Sequence, residues 1–234
     1  MMLSKILSTC LEIALPRFCV LCGFPLSPWI GLPPWPVCTE CALAIRPLAG
    51  ERCESCGLPL ISEIGRCMRC RETQMAFDSA YPLFAYAGSV RELISAYKKT
   101  GRRSLAPFIA ELFVKVIEEK WSDRIIVPVP PRPGKSRILG WDQVEEIVRC
   151  LEGRGFFVAR PLERKRSKEQ KSLGRGERGA NAKMAYALKA GAASPELPLL
   201  IDDVVTTCAT LDACALALKG GGARSVAALV LAAD

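Results

Sequence analysis

From residue 80 onward the chain alternates short apolar runs with stretches whose apolar positions recur every three to four residues. Residues 80–87 (AYPLFAYA) read as a strand, and residues 90–99 predict a helix with Val90, Leu93, Ile94 and Tyr97 on one face. A longer helix follows over 105–121. Residues 125–129 form a β-branched apolar run of the kind that buried parallel strands use, closed by Pro130 and Pro131 and followed by the basic loop RPGKSR. The pattern then predicts a helix over 141–151, a strand over 156–159 and a strand over 197–201. A helix over 209–219, stopped by Gly220, Gly221 and Gly222, leads to a last strand over 225–232. Strands alternating with helices predict an α/β fold, a mostly parallel sheet flanked by helices.

Neither rhythm extends to the front of the chain. Residues 17–71 hold too little apolar matter to fold alone, but they are rich in cysteine. Eight of the twelve cysteines form four CxxC pairs: Cys19/Cys22, Cys38/Cys41, Cys53/Cys56 and Cys67/Cys70. Cys22 and Cys56 are each followed by glycine and then by a Pro-Leu element, which makes the segment an internal duplication of units of about 30 residues. A CxxC turn brings two sulfurs to one tetrahedral ion and a second turn closes its shell, so the reading is two structural Zn²⁺ sites without an open position for catalysis. Sequential pairing, the first four cysteines on one ion and the last four on another, is preferred to an interleaved arrangement. Disulfides and redox CxxC motifs are the alternatives. Metal binding would then supply much of the folding free energy here. The expected organisation is a double zinc-ribbon unit over 1–75 and an α/β domain over 76–234.

Charge and apolar runs narrow the classes further. No apolar stretch approaches the roughly 20 residues of a membrane span. Residues 1–16 read as a short amphipathic helix rather than a signal peptide, because Glu12 interrupts the apolar run and no small-residue cleavage site follows. The expected compartment is the cytoplasm, where paired cysteines usually mean metal. The formal charge of +8 would fall to about +4 with eight thiolates on two Zn²⁺ ions, so the clustering of the positive residues matters more than their sum. They cluster over 160–183, where nine Lys/Arg face three Glu. That segment reads as a mobile basic loop, either a plain surface or a lid that closes over an anion.

The remaining chemistry lies in LLIDDVVTTCAT, residues 199–210. Ligands of open parallel sheets sit beyond the carboxyl ends of the strands, and there the sequence puts Asp202 and Asp203. Thr206, Thr207, Cys208, Ala209 and Thr210 follow, bringing hydroxyls and backbone N–H groups to the head of a helix whose dipole favours an anion. The stretch thus offers carboxylates for sugar hydroxyls and a cradle for a phosphate.

Residues 198–210 resemble the signature of the type I phosphoribosyltransferases, four apolar residues, two acids, two apolar residues and T-T-G-x-T, with Cys208 in place of the glycine. The resemblance implies a site for 5-phosphoribosyl 1-diphosphate with Mg²⁺, in which Asp202 and Asp203 are the catalytic candidates and residues 206–210 take the 5-phosphate. It implies that Arg132, Lys135 and Arg137 take the diphosphate. The basic segment is similar to a flexible hood, with Arg164 and Arg178 as ligand-binding candidates.

Cysteine-rich ribbons ahead of these loops are similar to the ComF family. Arg164, Arg166, Gln170, Leu173, Glu177, Arg178 and Asn181 follow the family's hood pattern, and Lys98 and Gly101 resemble its Lys-aromatic-x-Gly element. Natural transformation is the implied role, handling incoming single-stranded DNA in the cytoplasm beside a helicase and recombination mediators. The ribbons would act as a structural cap or as a module for DNA or a partner, with Phe24, Trp29 and Trp35 as stacking candidates. Two further departures stand in LGWDQ, where Leu139 replaces an arginine and Asp142 an asparagine; with Cys208 they bear on turnover more than on binding. A cysteine at position 208 is expected to be strained and, at a helix N-terminus, to ionise more easily.

Overall fold

The computed structural model describes residues 17–26, 35–132, 140–165 and 185–234. Four strands form one parallel sheet: β3 (Ser79–Ala85), β4 (Ile125–Pro128), β7 (Pro198–Val205) and β8 (Ala227–Ala233), in the order β3-β8-β7-β4. Two-residue strands β1 (Arg17–Phe18) and β2 (Pro25–Leu26) pair near the first cysteines. Strand β5 (Leu162–Arg164) pairs antiparallel with β6 (Tyr186–Leu188). The helices are α1 (Thr39–Ala44), α2 (Met68–Glu72), α3 (Gly88–Lys99), α4 (Ala106–Lys120), α5 (Gln143–Glu152) and α6 (Ala209–Gly220). The α/β class read from the sequence is the class observed.

Alternation along the central strands builds two cores. Leu199, Ile201, Leu229 and Leu231 face α3, α4 and α5, whose Leu93, Ile94, Phe113, Ile117, Ile147 and Leu151 are fully enclosed. Leu200, Ala228 and Val230 face the other way, against Leu211, Cys214 and Leu218 of α6. Both faces of β7 and β8 are covered, which is why these strands read as continuous apolar runs.

The cysteine-rich segment straddles the open edge of β3. The first cysteine group packs with the α4 side, where Trp35 lies 5.9 Å from Phe108, and the second with the α6 side. Between them the chain blocks the edge itself: Ala80 N–H donates to Ser55 O, Leu48 N–H donates to Leu83 O, and Arg52 donates to Pro82 O while stacking 4.1 Å over the Tyr81 ring. Gly57 makes this approach possible. Its φ is +70°, and a Cβ there would collide with the carbonyl oxygen of Ala80.

Several boundaries differ from those read in the sequence. Strand β7 does not stop at Ile201 but runs on through the acids to Val205, because β8 stays apolar and keeps pairing, Asp202 opposite Val230 and Val205 opposite Ala233. Residues 156–159 reach the sheet as a single parallel bridge, Val158 opposite Ile126. The basic segment begins as β5 rather than as loop, with Leu162 buried in the second core and its partner β6 not foreseen. The predicted helix over 1–16 and the hood residues 166–184 lie outside the described residues.

Candidate functional site

The site follows from unequal strand lengths. Pairing of β4 with β7 ends at Pro128 opposite Ile201, and Val129 N–H closes it by donating to Ile201 O. Beyond this point β7 continues beside β8 alone, and a cleft of about 500 Å³ opens on its exposed edge. Asp202, Asp203, Lys98, Arg132, Asp142, Arg164, Tyr186 and Thr210 are among its lining residues.

Adjacent positions on a strand point to opposite faces, and the two acids do so. Asp203 turns toward α3, where its Oδ1 accepts an ion pair from Lys98 Nζ at 2.7 Å. Asp202 turns toward α6 and accepts the Asp203 N–H through Oδ1 at 2.8 Å. Burial pushes the Asp202 carboxyl up to about 7 and the Asp203 charge adds to this, against the Asp203 amide and Lys98, which pull it down. Two carboxyl groups side by side, one of them buried, make a place where a cation or a hydroxyl donor is favoured.

Behind the acids, Thr206 and Thr207 are exposed and Cys208 immediately precedes α6. Thr207 Oγ1 accepts the Ala209 N–H at 3.4 Å, and no side chain caps the helix at Cys208. Beyond Ala209 N–H, the head of α6 carries the positive end of the helix dipole, which favours an anion. Cys208 has φ 61° and is the one non-glycine with positive φ among the described residues. The backbone has taken the left-handed turn that a glycine would take, and the side chain is tucked inward, 2% exposed, toward Arg69. Burial pushes the thiol up to about 11 while Arg69 pulls the other way. Easier ionisation at the helix head is thus not what the structure gives, since the sulfur has left the helix axis for the interior.

Arg164 lies on the cleft wall, donating to Tyr186 Oη at 3.0 Å. Arg132 reaches the mouth and is exposed. Lys135, Arg137 and Arg178 lie outside the described residues. Arg160, counted in the sequence among the hood cations, is committed elsewhere: it pairs with Glu145 at 2.9 Å and with Glu152 at 2.8 Å.

The eight paired cysteines gather as two groups, Cys19/Cys22/Cys38/Cys41 and Cys53/Cys56/Cys67/Cys70, each with its sulfurs within 4.8 Å of one another. Cys22 and Cys38 are separated by 3.7 Å, as are Cys56 and Cys67, close to the sulfur–sulfur edge of a tetrahedral Zn²⁺ thiolate and far beyond a disulfide. Backbone N–H groups of Cys38 and Cys67 donate to the sulfurs of Cys19 and Cys53. Donor set and spacing fit zinc, in the sequential pairing. Trp35 is packed on Phe108 and unsuited to stacking on a base, Phe24 is 60% exposed, and Trp29 lies outside the described residues.

Comparison with known proteins adds relatives. The competence protein ComFC of Streptococcus pneumoniae is 27% identical over 199 residues, 81% of this chain and 84% of that protein. The DNA utilization protein YhgH of Salmonella typhimurium is 28% identical over 231 residues, 92% of this chain and 96% of that protein. The chain resembles ComFC and YhgH. No family model matches it. Among solved structures it is similar to hypoxanthine phosphoribosyltransferases of Trypanosoma cruzi (TM-score 0.36, 13% identity) and Staphylococcus aureus (TM-score 0.33, 14% identity). Each match covers 56% of this chain, which spans a little under two thirds of those proteins, 64% and 65%.

In this ComFC-like chain the departures acquire physical roles. Asp142 Oδ1 accepts the Glu145 N–H at 2.9 Å and caps α5, where an aspartate is favoured, although its charge also faces the cleft. Cys208 keeps the left-handed turn, so its Cβ strains the loop without filling the space in front of the amides. Tyr186 and Arg69 were not picked out in the sequence. Lys98 was noted there only as part of a resemblance, and its ion pair with Asp203 gives it a place in the site.

Proposed function

We propose that the cleft binds 5-phosphoribosyl 1-diphosphate together with Mg²⁺. The observation that supports this most is the meeting, at one cleft, of two strand-borne carboxylates with the head of α6, entered through a left-handed turn. In this reading residues 206–210 take the 5-phosphate through amides and hydroxyls. Asp202 and Asp203 take the ribose hydroxyls, directly or as oxygen ligands of Mg²⁺, a hard cation suited to carboxylates. Mg²⁺, when bound, neutralises the diphosphate and makes it a better leaving group. Arg132, with Lys135 and Arg137, holds the diphosphate, and Arg164 and Arg178 belong to the closing side.

Turnover, where it occurs, breaks the bond from the anomeric carbon to diphosphate and forms one to a nitrogen nucleophile. The chain has no histidine, so proton transfer falls to a carboxylate or to solvent. Asp202, with proton affinity near neutrality, suits that task, and Lys98 keeps Asp203 in place beside it.

The names of the relatives, a competence protein and a DNA utilization protein, support a role in DNA uptake and use; in this reading the protein works in the cytoplasm beside a helicase and recombination mediators. The ribbons over 1–75 then serve as a zinc-held cap on the transferase-like domain over 76–234. A second reading, a non-catalytic single-stranded DNA-binding factor, is favoured by Phe18 and Phe24, 54% and 60% exposed beside the first cysteine group.

Salt titration separates the two. DNA binding should weaken linearly in log[salt] with a steep slope, whereas binding of the sugar diphosphate should require Mg²⁺ and change little. Sugar-diphosphate binding that is indifferent to Mg²⁺ and abolished by moderate salt would overturn the first reading.

A further inference from the structure

Arg69 joins the second cysteine group to the 206–210 turn. It lies in α2 between Cys67 and Cys70, and its guanidinium leaves the ribbon to reach a segment 137 residues away. Nη1 donates to Thr206 O at 3.2 Å and Nη2 donates to Cys208 Sγ at 3.7 Å. The Cys56 and Cys70 sulfurs lie near enough to act on its charge. One half-buried side chain, set between two cysteines of the cluster, thus touches the start and the middle of the turn. That turn contains the left-handed cysteine, and a strained backbone persists only where its surroundings hold it.

We propose that Arg69 is a positioning residue that makes the shape of the 206–210 turn depend on the metal content of the second cysteine cluster. Four thiolates on one Zn²⁺ would carry a net charge of about −2, which favours a guanidinium beside the cluster while its donors serve Thr206 and Cys208. Loss of the metal loosens the knuckle that carries Arg69 and releases the turn. The effect on the turn stands on geometry alone; its consequence for a ligand rests on the reading of the cleft as a phosphosugar site.

Hydrogen exchange of the full-length, zinc-replete protein tests the idea, followed on the peptide that contains the amides of residues 206–210. Arg69→Met should speed exchange there about ten-fold with zinc content unchanged, the loss expected for hydrogen bonds from a charged donor. Arg69→Lys should recover part of the protection. Arg71→Met should leave the turn unchanged, because among the described residues Arg71 donates to Arg66 O and Ile64 O within the ribbon. Chelation should accelerate the wild-type turn to the Arg69→Met rate and add little in Arg69→Met itself. Unchanged exchange in zinc-replete Arg69→Met, or equal acceleration by Arg71→Met, would overturn the proposal. Calorimetry with 5-phosphoribosyl 1-diphosphate and Mg²⁺ forms the second arm, with affinity about ten-fold weaker in Arg69→Met. A wild-type protein that does not bind the diphosphate while the exchange pattern holds would remove the phosphosugar reading and leave Arg69 in its role.

Discussion

Position 208 lets backbone strain be measured by comparing two truncations. Cys208 is buried at φ 61°, with its sulfur near Arg69. Cys208→Ala removes the sulfur but keeps Cβ in the left-handed region, and should destabilise by about 1 kcal/mol through lost burial. Cys208→Gly removes the sulfur as well, and forfeits at most about 0.8 kcal/mol more burial and about 0.5–1 kcal/mol through the freer unfolded chain. Against this it releases roughly 1–2 kcal/mol of left-handed strain. The two variants should therefore have nearly equal stability, whereas alanine exceeds glycine by about 1 kcal/mol at an ordinary helical position. Urea unfolding of both zinc-replete variants, compared at equal slopes, gives the difference. If Cys208→Ala is more stable than Cys208→Gly by about 1 kcal/mol or more, the strain is absent and the account of this turn is wrong.

Two further predictions follow from the edge and the acids. Gly57→Ala should destabilise by about 3 kcal/mol or more, because the added methyl meets the Ala80 carbonyl and lies 2.7 Å from Pro82 Cδ at a residue of φ +70°; a urea midpoint close to wild type would refute the edge packing. The Asp202 carboxyl, raised to about 7 from an ordinary 3.8, binds its proton more tightly folded than unfolded, so its contribution to stability falls as pH rises from about 4 through 7. Binding of Mg²⁺ and the sugar diphosphate should move the other way, about ten-fold weaker at pH 6 than above pH 8, since only about a tenth of Asp202 is ionised at pH 6. Asp202→Asn should flatten both dependences, and the ligand's own titration, common to both proteins, cancels in the comparison.

Periodicity located β3, β4, β8 and α3 to α6 within a few residues, because each has an apolar face recurring at its own period. It failed where pairing rather than pattern decided the outcome: β7 continues through two acids because β8 continues beside it, and β6 is three residues of Tyr-Ala-Leu whose identity as a strand depends on β5. Spacing alone sorted the cysteines correctly, since CxxC turns have few geometric solutions. The loop 199–210 was legible as chemistry, but the direction of the Cys208 side chain was not. Its sulfur ends beside Arg69, and nothing in the local sequence of either residue points to the other.

The central claim is that Asp202, Asp203 and the turn after them jointly hold one phosphorylated sugar. Calorimetry of the zinc-replete protein with 5-phosphoribosyl 1-diphosphate and Mg²⁺ tests it most directly, alongside the double variant Asp202→Asn/Asp203→Asn. The account predicts a Mg²⁺-dependent affinity in the micromolar range that disappears in the double variant while its fold and zinc content are retained. Equal binding by wild type and double variant, or no binding by wild type, would contradict it.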